Sequence, residues 1–170
     1  CYATGSVTGT SEVGGLAGTV GGTMTFCYAT GSVTGSNPVG GLIGTVSGTV
    51  TSCYWDTESS GMATGIGSGS TTGATGLSSA QMVLQESFSD FDFTTTPDWN
   101  IFEGTIRPYL PWQALPSVVS QIPYAGGDGS SGAPYQIATL GQLLRLSETP
   151  ADWASGIYFE LAEDIDATDA

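Results

Sequence analysis

Small or apolar residues alternate with polar or aromatic residues along the first part of the chain, and this alternation predicts short β-strands. Around Cys27, one parity carries small and apolar side chains, namely Cys27, Ala29, Gly31 and Val33. The other parity carries Tyr28, Thr30, Ser32 and Thr34. We therefore predict that the first set faces a core and that the second set faces outward.

The pattern returns every 26 residues. CYATGSVTG occupies 1–9 and 27–35, a third Cys-Tyr begins at Cys53, and the first two 26-residue repeats agree at 19 of 26 positions. A period in the twenties fits one coil of a parallel β-solenoid, in which strands of successive coils lie about 4.8 Å apart. We predict an all-β fold, a right-handed parallel β-solenoid.

A second strand in each repeat is predicted to supply Leu16 and Leu42 to the core. The apolar parity of this strand is out of step with the parity of the cysteines. Because one side of a strand cannot change parity without a break, we expect a bend near Phe26 and Ser52. Glycines allow tight corners and close backbone approach in such a coil.

The three cysteines Cys1, Cys27 and Cys53 are predicted to stack as an inward ladder of free thiols, since a buried cysteine behaves as a small hydrophobic residue. A disulfide between neighbouring coils is the alternative, because their Cα separation falls in the allowed range. An odd count leaves at least one thiol unpaired within the chain. A zinc site is disfavoured, because the chain has no histidine.

Aromatic residues concentrate between 88 and 112. We predict that this segment, with Trp99, Tyr109 and Trp112, is a cap over the open end of the solenoid core, which otherwise exposes apolar surface. The alternative is an aromatic platform for a sugar. Ahead of it, a short helix is predicted over 79–85, with Ser78 as N-cap and Gln81 as its capping-box partner.

The repeats resemble the GLUG motif of large bacterial and archaeal cell-surface proteins, on the residues VGGLIGTVSGTVTSCY at 39–54 and their counterparts over 1–58. CYWDTESSG at 53–61, GLSSAQM at 76–82 and the residues up to Gln113 resemble the segment that closes such arrays. Residues from 124 onward resemble the opening of a fresh array. The resemblance implies an extracellular, adhesin-like protein of tandem β-solenoid modules, without catalytic residues.

The composition changes along the chain, which predicts four segments. Solenoid repeats are predicted over 1–58 and a loop with the aromatic cap over 59–115. A linker rich in proline and glycine is predicted over 116–134, and the start of a second solenoid-type module over 135–170. A helix is predicted there over 140–146, with Thr139 as N-cap and Gln142 as its partner.

The chain is strongly acidic. It has 16 acidic and 2 basic residues, which give a formal net charge of −14 at pH 7. Such a charge repels nucleic acid and anionic membrane surfaces, so neither is an expected partner. No apolar run is long enough to predict a membrane span, and the acidic, hydroxyl-rich composition suits an extracellular setting. With no initiator methionine or signal peptide, the chain is predicted to be an internal piece of a longer precursor or a mature fragment.

No catalytic residue set is recognisable. The chain has no histidine, lysine or GxSxG sequence, which excludes Ser-His-Asp and Cys-His chemistry. Asp56 and Glu58 form a carboxylate pair that the start of the cap explains equally well. No cofactor is expected, and calcium is the one candidate ion. Its weak candidate ligands are Asp164, Asp166 and Asp169, for which a solvated strand face is the alternative.

We therefore expect a non-enzymatic, extracellular structural or adhesive protein. Its expected partners are copies of itself or neighbouring modules of the same surface protein, assembled head to tail into a filament or surface layer. The alternative is an ice- or glycan-binding module, and a carbohydrate-active enzyme ranks third. The residues of the predicted binding face are Thr4, Ser6, Thr8, Thr30, Ser32 and Thr34.

Overall fold

The computed structural model describes residues 1–94, 98–113, 119 and 122–165, and strands outnumber helices in it. The strands of the first three repeats are β1 Tyr2–Ala3, β2 Val7–Thr8, β3 Val13–Gly14, β4 Ala17–Val20, β5 Thr23–Thr25, β6 Tyr28–Ala29, β7 Val33–Thr34, β8 Val39–Gly40, β9 Ile43–Val46, β10 Thr49–Thr51, β11 Cys53–Asp56 and β12 Ile66–Ser68. The later strands are β13 Ala74–Leu77, β14 Asn100–Phe102, β15 Ile106–Tyr109, β16 Tyr135–Ile137 and β17 Phe159–Leu161. The α-helices that lie wholly within the described residues are α1 Thr57–Ser60 and α2 Leu140–Glu148.

The first two repeats pair strand for strand. Each strand from β1 to β5 lies parallel to the strand of the same position in the second repeat, from β6 to β10. The paired residues are 26 positions apart, as Tyr2 and Tyr28 are, because the side-chain pattern is the same in both repeats. The mostly-β prediction is confirmed. The fold consists of small sheets, in which the strands pair in parallel except for the antiparallel pair β14 and β15.

The third repeat is shorter. Tyr54 of β11 still pairs with Tyr28 of β6, but Ile66 of β12 pairs with Ile43 of β9, 23 positions earlier. Strand β13 then lies parallel to β11, with Ala74 opposite Cys53. The sheet order is therefore β1-β6-β11-β13.

The predicted bend between the two strand parities is confirmed. Phe26 has a φ of 51° and Ser52 a φ of 50°, both in the left-handed region that side chains other than glycine seldom enter. Glu12 adopts the same conformation, with a φ of 53°. A single left-handed residue reverses which parity faces inward, so the strands on both sides keep their apolar residues in one core.

One core lies on the inner side of the repeats. Its buried members are Val20, Cys27, Ala29, Leu42, Ile43, Val46, Val50, Cys53, Trp55 and Ile66. Leu16 packs against this cluster but is only half-buried, and Cys1 is exposed. The expected ladder of inward cysteines therefore has two buried members, because no further strand covers the thiol of the first repeat.

Trp55 fills the inner space of the third repeat. It lies opposite Ala29, so an indole occupies the column that alanine occupies in the second repeat. A Cβ atom built on Gly41 or Gly65 would lie 2.4 Å from the indole, and one built on Gly76 would lie 2.8 Å from it. Glycine at these three positions is what makes room for the ring.

A second core lies on the opposite face of the cysteine strands. Tyr28 and Tyr54 are 1% and 4% exposed, and they pack with Phe88, Phe91 and Trp99. The prediction that the tyrosines face solvent is therefore wrong, as is the prediction that the aromatic segment seals the solenoid end. The segment instead covers the row formed by Tyr2, Tyr28 and Tyr54, here called the tyrosine row, from the side. Large aromatic rings on an open sheet face need such a covering layer.

The helix predicted over 79–85 is replaced by two single-turn 3₁₀ helices, Gln81–Val83 and Gln85–Ser87, with Leu84 extended between them. Met82 and Phe88 are both buried in the second core, against the tyrosines. Residues six apart lie about 120° apart around an α-helix, so an unbroken helix would direct the two side chains to different sides.

The predicted capping partners Ser78 and Gln81 nevertheless bond reciprocally. The Gln81 N–H donates to the Ser78 hydroxyl at 3.2 Å, and the Ser78 N–H donates to the Gln81 amide oxygen at 2.9 Å.

The chain divides into two compact bodies, Cys1–Leu110 and Pro111–Ala170. In the second body, β16 and β17 pair in parallel with α2 between them in the chain. The predicted capping box of Thr139 and Gln142 is confirmed, and the helix continues two residues beyond the predicted end at 146. The four segments predicted from composition stay a prediction.

Candidate functional site

The predicted binding face is only partly accessible. Thr4, Ser6, Thr8, Ser32 and Thr34 are exposed. Thr8 lies opposite Thr34 in register, so these two hydroxyls stack as expected. Thr30 is 6% exposed, and its carbonyl accepts a hydrogen bond from the Ser59 hydroxyl. Thr30 therefore cannot belong to a binding face, because the start of α1 covers it.

A second row of hydroxyls was missed by the sequence analysis. Thr23 and Thr25 of β5 are exposed and lie directly opposite Thr49 and Thr51 of β10, which are also exposed. The signal was present as Thr-Met-Thr at 23–25 and Thr-Val-Thr at 49–51. In each repeat the central residue packs into the inner core, so both threonines point outward. The result is a two-by-two array of hydroxyls at strand spacing.

Asp56 accepts hydrogen bonds at both oxygens of its carboxylate. Its side chain is fully buried, and its Oδ1 accepts hydrogen bonds from the Glu58 and Ser59 N–H groups, both at 3.0 Å. The Ser79 hydroxyl donates to Oδ2 at 2.8 Å, and the Arg107 guanidinium donates to Oδ2 at 3.0 Å. The carboxylate thus caps α1 and joins β11 to the 79–107 segment.

The electrostatics of Asp56 are those of a structural ion pair. Burial by itself raises the pKa of Asp56, but hydrogen bonds from the Ser59 N–H, the Ser79 hydroxyl and Arg107 outweigh it and hold the pKa below its ordinary value. A carboxylate that is fully enclosed and already accepts bonds at both oxygens has no free lone pair directed at a substrate. Glu58, its predicted partner, accepts a bond from the Ser79 N–H at 2.9 Å.

The buried thiols have ordinary backbone partners. All three cysteines are free. The Cys27 thiol donates to the Thr25 carbonyl at 3.1 Å, and the Cys53 thiol donates to the Thr51 carbonyl at 3.3 Å. The contact with the Cys27 thiol, followed by burial, raises the pKa of Cys53, so Cys53 remains a thiol at neutral pH. Nothing in this geometry directs either sulfur towards a substrate.

Only one of the three expected calcium ligands lies within the described part of the chain. Asp164 is exposed, whereas Asp166 and Asp169 lie outside the described residues. Among described residues, no group of three acidic, cysteine or histidine side chains is arranged to hold a metal ion. Glu160 is held by a hydrogen bond from the Gln136 amide at 3.2 Å.

The aromatic residues expected in the cap have three different surroundings. Trp99 is buried and stacks on Phe91, with ring centroids 4.8 Å apart. Tyr109 is half-buried and lies parallel to Phe102 at 6.1 Å. Trp112 is 79% exposed, so it contributes to no core. Besides Trp99, the residues that cover the tyrosines are Met82, Phe88 and Phe91, whose role was not separated from that of their neighbours by sequence reasoning.

The second body holds a further polar cluster. Arg145 lies 4.2 Å above the Tyr124 ring and pairs with Asp152 at 3.0 Å. The Tyr124 hydroxyl donates to Asp152 at 2.7 Å, and Arg145 also donates to the Ile122 carbonyl at 2.7 Å. Burial, followed by the bond to Asp152, raises the pKa of Tyr124. These groups satisfy one another, which is typical of a structural clamp.

Comparisons with family models, with curated proteins and with solved structures found no match to this chain. A search for membrane-crossing segments found no helix of sufficient length and hydrophobicity within the described ranges.

Proposed function

We propose that this chain is a non-enzymatic structural or adhesive repeat protein of an extracellular surface, and that its repeats are coils of a right-handed parallel β-solenoid. The observation that carries the proposal is the pairing of each strand of the first repeat with the same strand of the second, 26 positions on. Stacked repeats of this kind gain stability from contacts with their neighbours, which suits an elongated scaffold.

The polar chemistry supports a scaffold. The buried carboxylate of Asp56 is used for a helix cap and an ion pair, and Arg145 and Asp152 hold Tyr124. These ionic and hydrogen-bonding side chains therefore hold segments of the chain together. The resemblance of the repeats to GLUG motifs supports the extracellular location, and so does the strongly acidic composition.

Antibody labelling of intact cells that produce the protein tests the location and the role together. We expect labelling without permeabilisation, and loss of labelling after brief treatment of the intact cells with a non-penetrating protease. Labelling only after permeabilisation would reject the extracellular role. An intracellular protein of the same cells, stained in parallel, is the control for membrane integrity.

A second candidate is a module that binds ordered water or glycan through its hydroxyl rows. One observation favours it, the exposed array in which Thr23 and Thr25 lie opposite Thr49 and Thr51. The test is partition into growing polycrystalline ice and binding to a glycan array, for the unaltered chain and for Thr49→Tyr. Tyrosine suits a strand and keeps the fold but interrupts the array. Thr34→Tyr, on the other exposed row, shows which of the two rows binds.

A further inference from the structure

Two glycines of the second repeat are required by the repeat next to them. A Cβ atom built on Gly31 would lie 1.9 Å from the carbonyl oxygen of Gly5, and one built on Gly48 would lie 1.9 Å from that of Gly22. No side chain fits at such distances, because non-bonded carbon and oxygen atoms need more than about 3 Å. Glycine at these positions therefore marks the places where stacked repeats touch through their backbones.

The first repeat has glycine at the same two positions without such a contact. Gly5 and Gly22 correspond to Gly31 and Gly48, yet an added Cβ would meet nothing within 4 Å at either. Neither residue has a positive φ, so the backbone conformation does not require glycine there. In isolation, alanine would be the more stabilising residue at such positions. Both positions are thus shaped for a neighbour on the outer side of the first repeat.

The backbone of the first repeat is oriented for the same neighbour. The Tyr28 and Thr30 N–H groups donate to the Cys1 and Ala3 carbonyls, at 3.1 and 2.9 Å. N–H groups alternate in direction along a parallel strand, and the first repeat has the same register. The Tyr2 and Thr4 N–H groups therefore point away from the second repeat, towards the open edge.

The two ends of the stack are not equivalent. At the third repeat, the Trp55 indole occupies the inner space between Gly41, Gly65 and Gly76. At the first repeat, Leu16 and Ala17 are only half-buried and Cys1 is exposed. The apolar side chains of the first repeat thus lie where a further repeat would cover them.

From this geometry we propose that the outer edge of the first repeat is a docking surface for one further 26-residue repeat of the same kind, parallel and in register, continuous with the backbone at Cys1. Its carbonyls accept hydrogen bonds from Tyr2 and Thr4, and its backbone lies against Gly5 and Gly22. The inference rests on the proposed function, since it needs the repeats to be stacking units. The existing contact between the first two repeats is its template.

The experiment compares the full chain with an extended chain that carries a second copy of residues 27–52 ahead of Cys1. Amide hydrogen exchange is measured residue by residue, with the Tyr28 amide as an internal reference. We expect exchange at the Tyr2 and Thr4 amides to slow by about 100-fold or more in the extended chain, because the new carbonyls protect them. Unchanged exchange at both amides would overturn the proposal.

Two alanine variants make the result specific. Gly31→Ala is expected to lower the unfolding midpoint of either chain, whereas Gly5→Ala should lower it only in the extended chain. If Gly31→Ala has no effect in the unextended chain, stacking and the proposed function both fail. If Gly31→Ala lowers the midpoint but Gly5→Ala is harmless in the extended chain, the inference alone fails.

Sedimentation velocity of the unextended chain at high concentration completes the test. We expect the unextended chain to be a monomer. A repeat that is joined to the same chain docks without the entropic cost of association, whereas a second molecule would have to overcome that cost. Self-association that Gly5→Ala abolishes would assign the edge to a second molecule and would overturn the intramolecular assignment.

Discussion

The first prediction concerns Trp55, whose indole fills the inner core at the third repeat. Removing this side chain tests that role directly. The indole is enclosed by Gly41, Gly65 and Gly76, and its Nε1 donates to the Met62 carbonyl at 3.0 Å. Glycines have no side chains to collapse into the space, so the cavity left by Trp55→Ala should persist. We expect a loss of about 4 kcal/mol in the free energy of unfolding, within the range for buried tryptophan.

Thermal and urea unfolding of the full chain measure this loss, with intrinsic fluorescence and circular dichroism as probes. For a body of this size, about 4 kcal/mol corresponds to a midpoint lower by about 15 °C. Trp112→Ala is the matched control, because Trp112 is 79% exposed and its loss should change stability by less than about 0.5 kcal/mol.

A double-mutant cycle with Gly41 shows whether the indole is the cause. A Cβ atom on Gly41 would lie 2.4 Å from Trp55 Cδ1, and its three nearest atoms all belong to that ring. Gly41→Ala alone should therefore cost about 1–3 kcal/mol through overpacking. In the Trp55→Ala background the same change should be nearly neutral. Additive costs, or equal effects of Trp55→Ala and Trp112→Ala, would refute the reasoning.

Three further predictions follow from individual contacts. Asp56→Asn should cost about 3 kcal/mol, the low end for a broken buried pair since the Arg107 side chain is 36% exposed. Because the fold lowers the pKa of Asp56, its contribution is full above the unfolded value of about 3.9 and is lost as the pH falls below it. Urea titrations from pH 6 to about pH 2 should thus show a shallower decline for Asp56→Asn, and parallel curves would contradict this. Tyr28→Phe, which removes the hydrogen bond to the Pro108 carbonyl, should cost about 1–3 kcal/mol by chemical unfolding, and an unchanged midpoint would show that bond to be dispensable. Thiol titration should count three free thiols in denaturant and one fast-reacting thiol, Cys1, in the native protein. Fewer than three would indicate cross-linking.

The strand pattern of the repeats was predictable from the sequence because it rests on local rules. Alternation assigned Cys27 and Ala29 to the inner core, and the change of parity predicted the bends at Phe26 and Ser52. The capping box of Thr139 and Gln142 was equally readable, since its partners are three residues apart. Each of these features depends on residues close together in the chain.

The layer over the tyrosine row was not predictable in the same way. Alternation showed that Tyr28 and Tyr54 point out of the repeat, but it carries no information on which distant segment covers them. Here the cover comes from Phe88, Phe91 and Trp99. The same limit applies to Asp56, whose partner Arg107 lies 51 positions away. Both contacts join segments that no local rule connects.

The accessibility of the binding face and the filling of the inner core at the third repeat were not predicted correctly. Both are decided by single positions at which the third repeat departs from the first two. Thr30 was expected to be exposed by its parity, but the helix that begins after Asp56 covers it. Trp55 replaces the alanine of the earlier repeats and seals the core from within. A pattern derived from two matching repeats describes the third only where the third matches them.

The stacking of repeats in parallel register is tested most directly by scalar couplings across hydrogen bonds, measured by nuclear magnetic resonance on the isotope-labelled full chain. The account predicts couplings from the Tyr28 amide nitrogen to the Cys1 carbonyl carbon, from Tyr54 to Cys27 and from Thr30 to Ala3, each pair 27 positions apart. A common offset in all three pairs is what parallel, in-register repeats require. Offsets that change from one pair to the next, as antiparallel strands produce, would contradict the account.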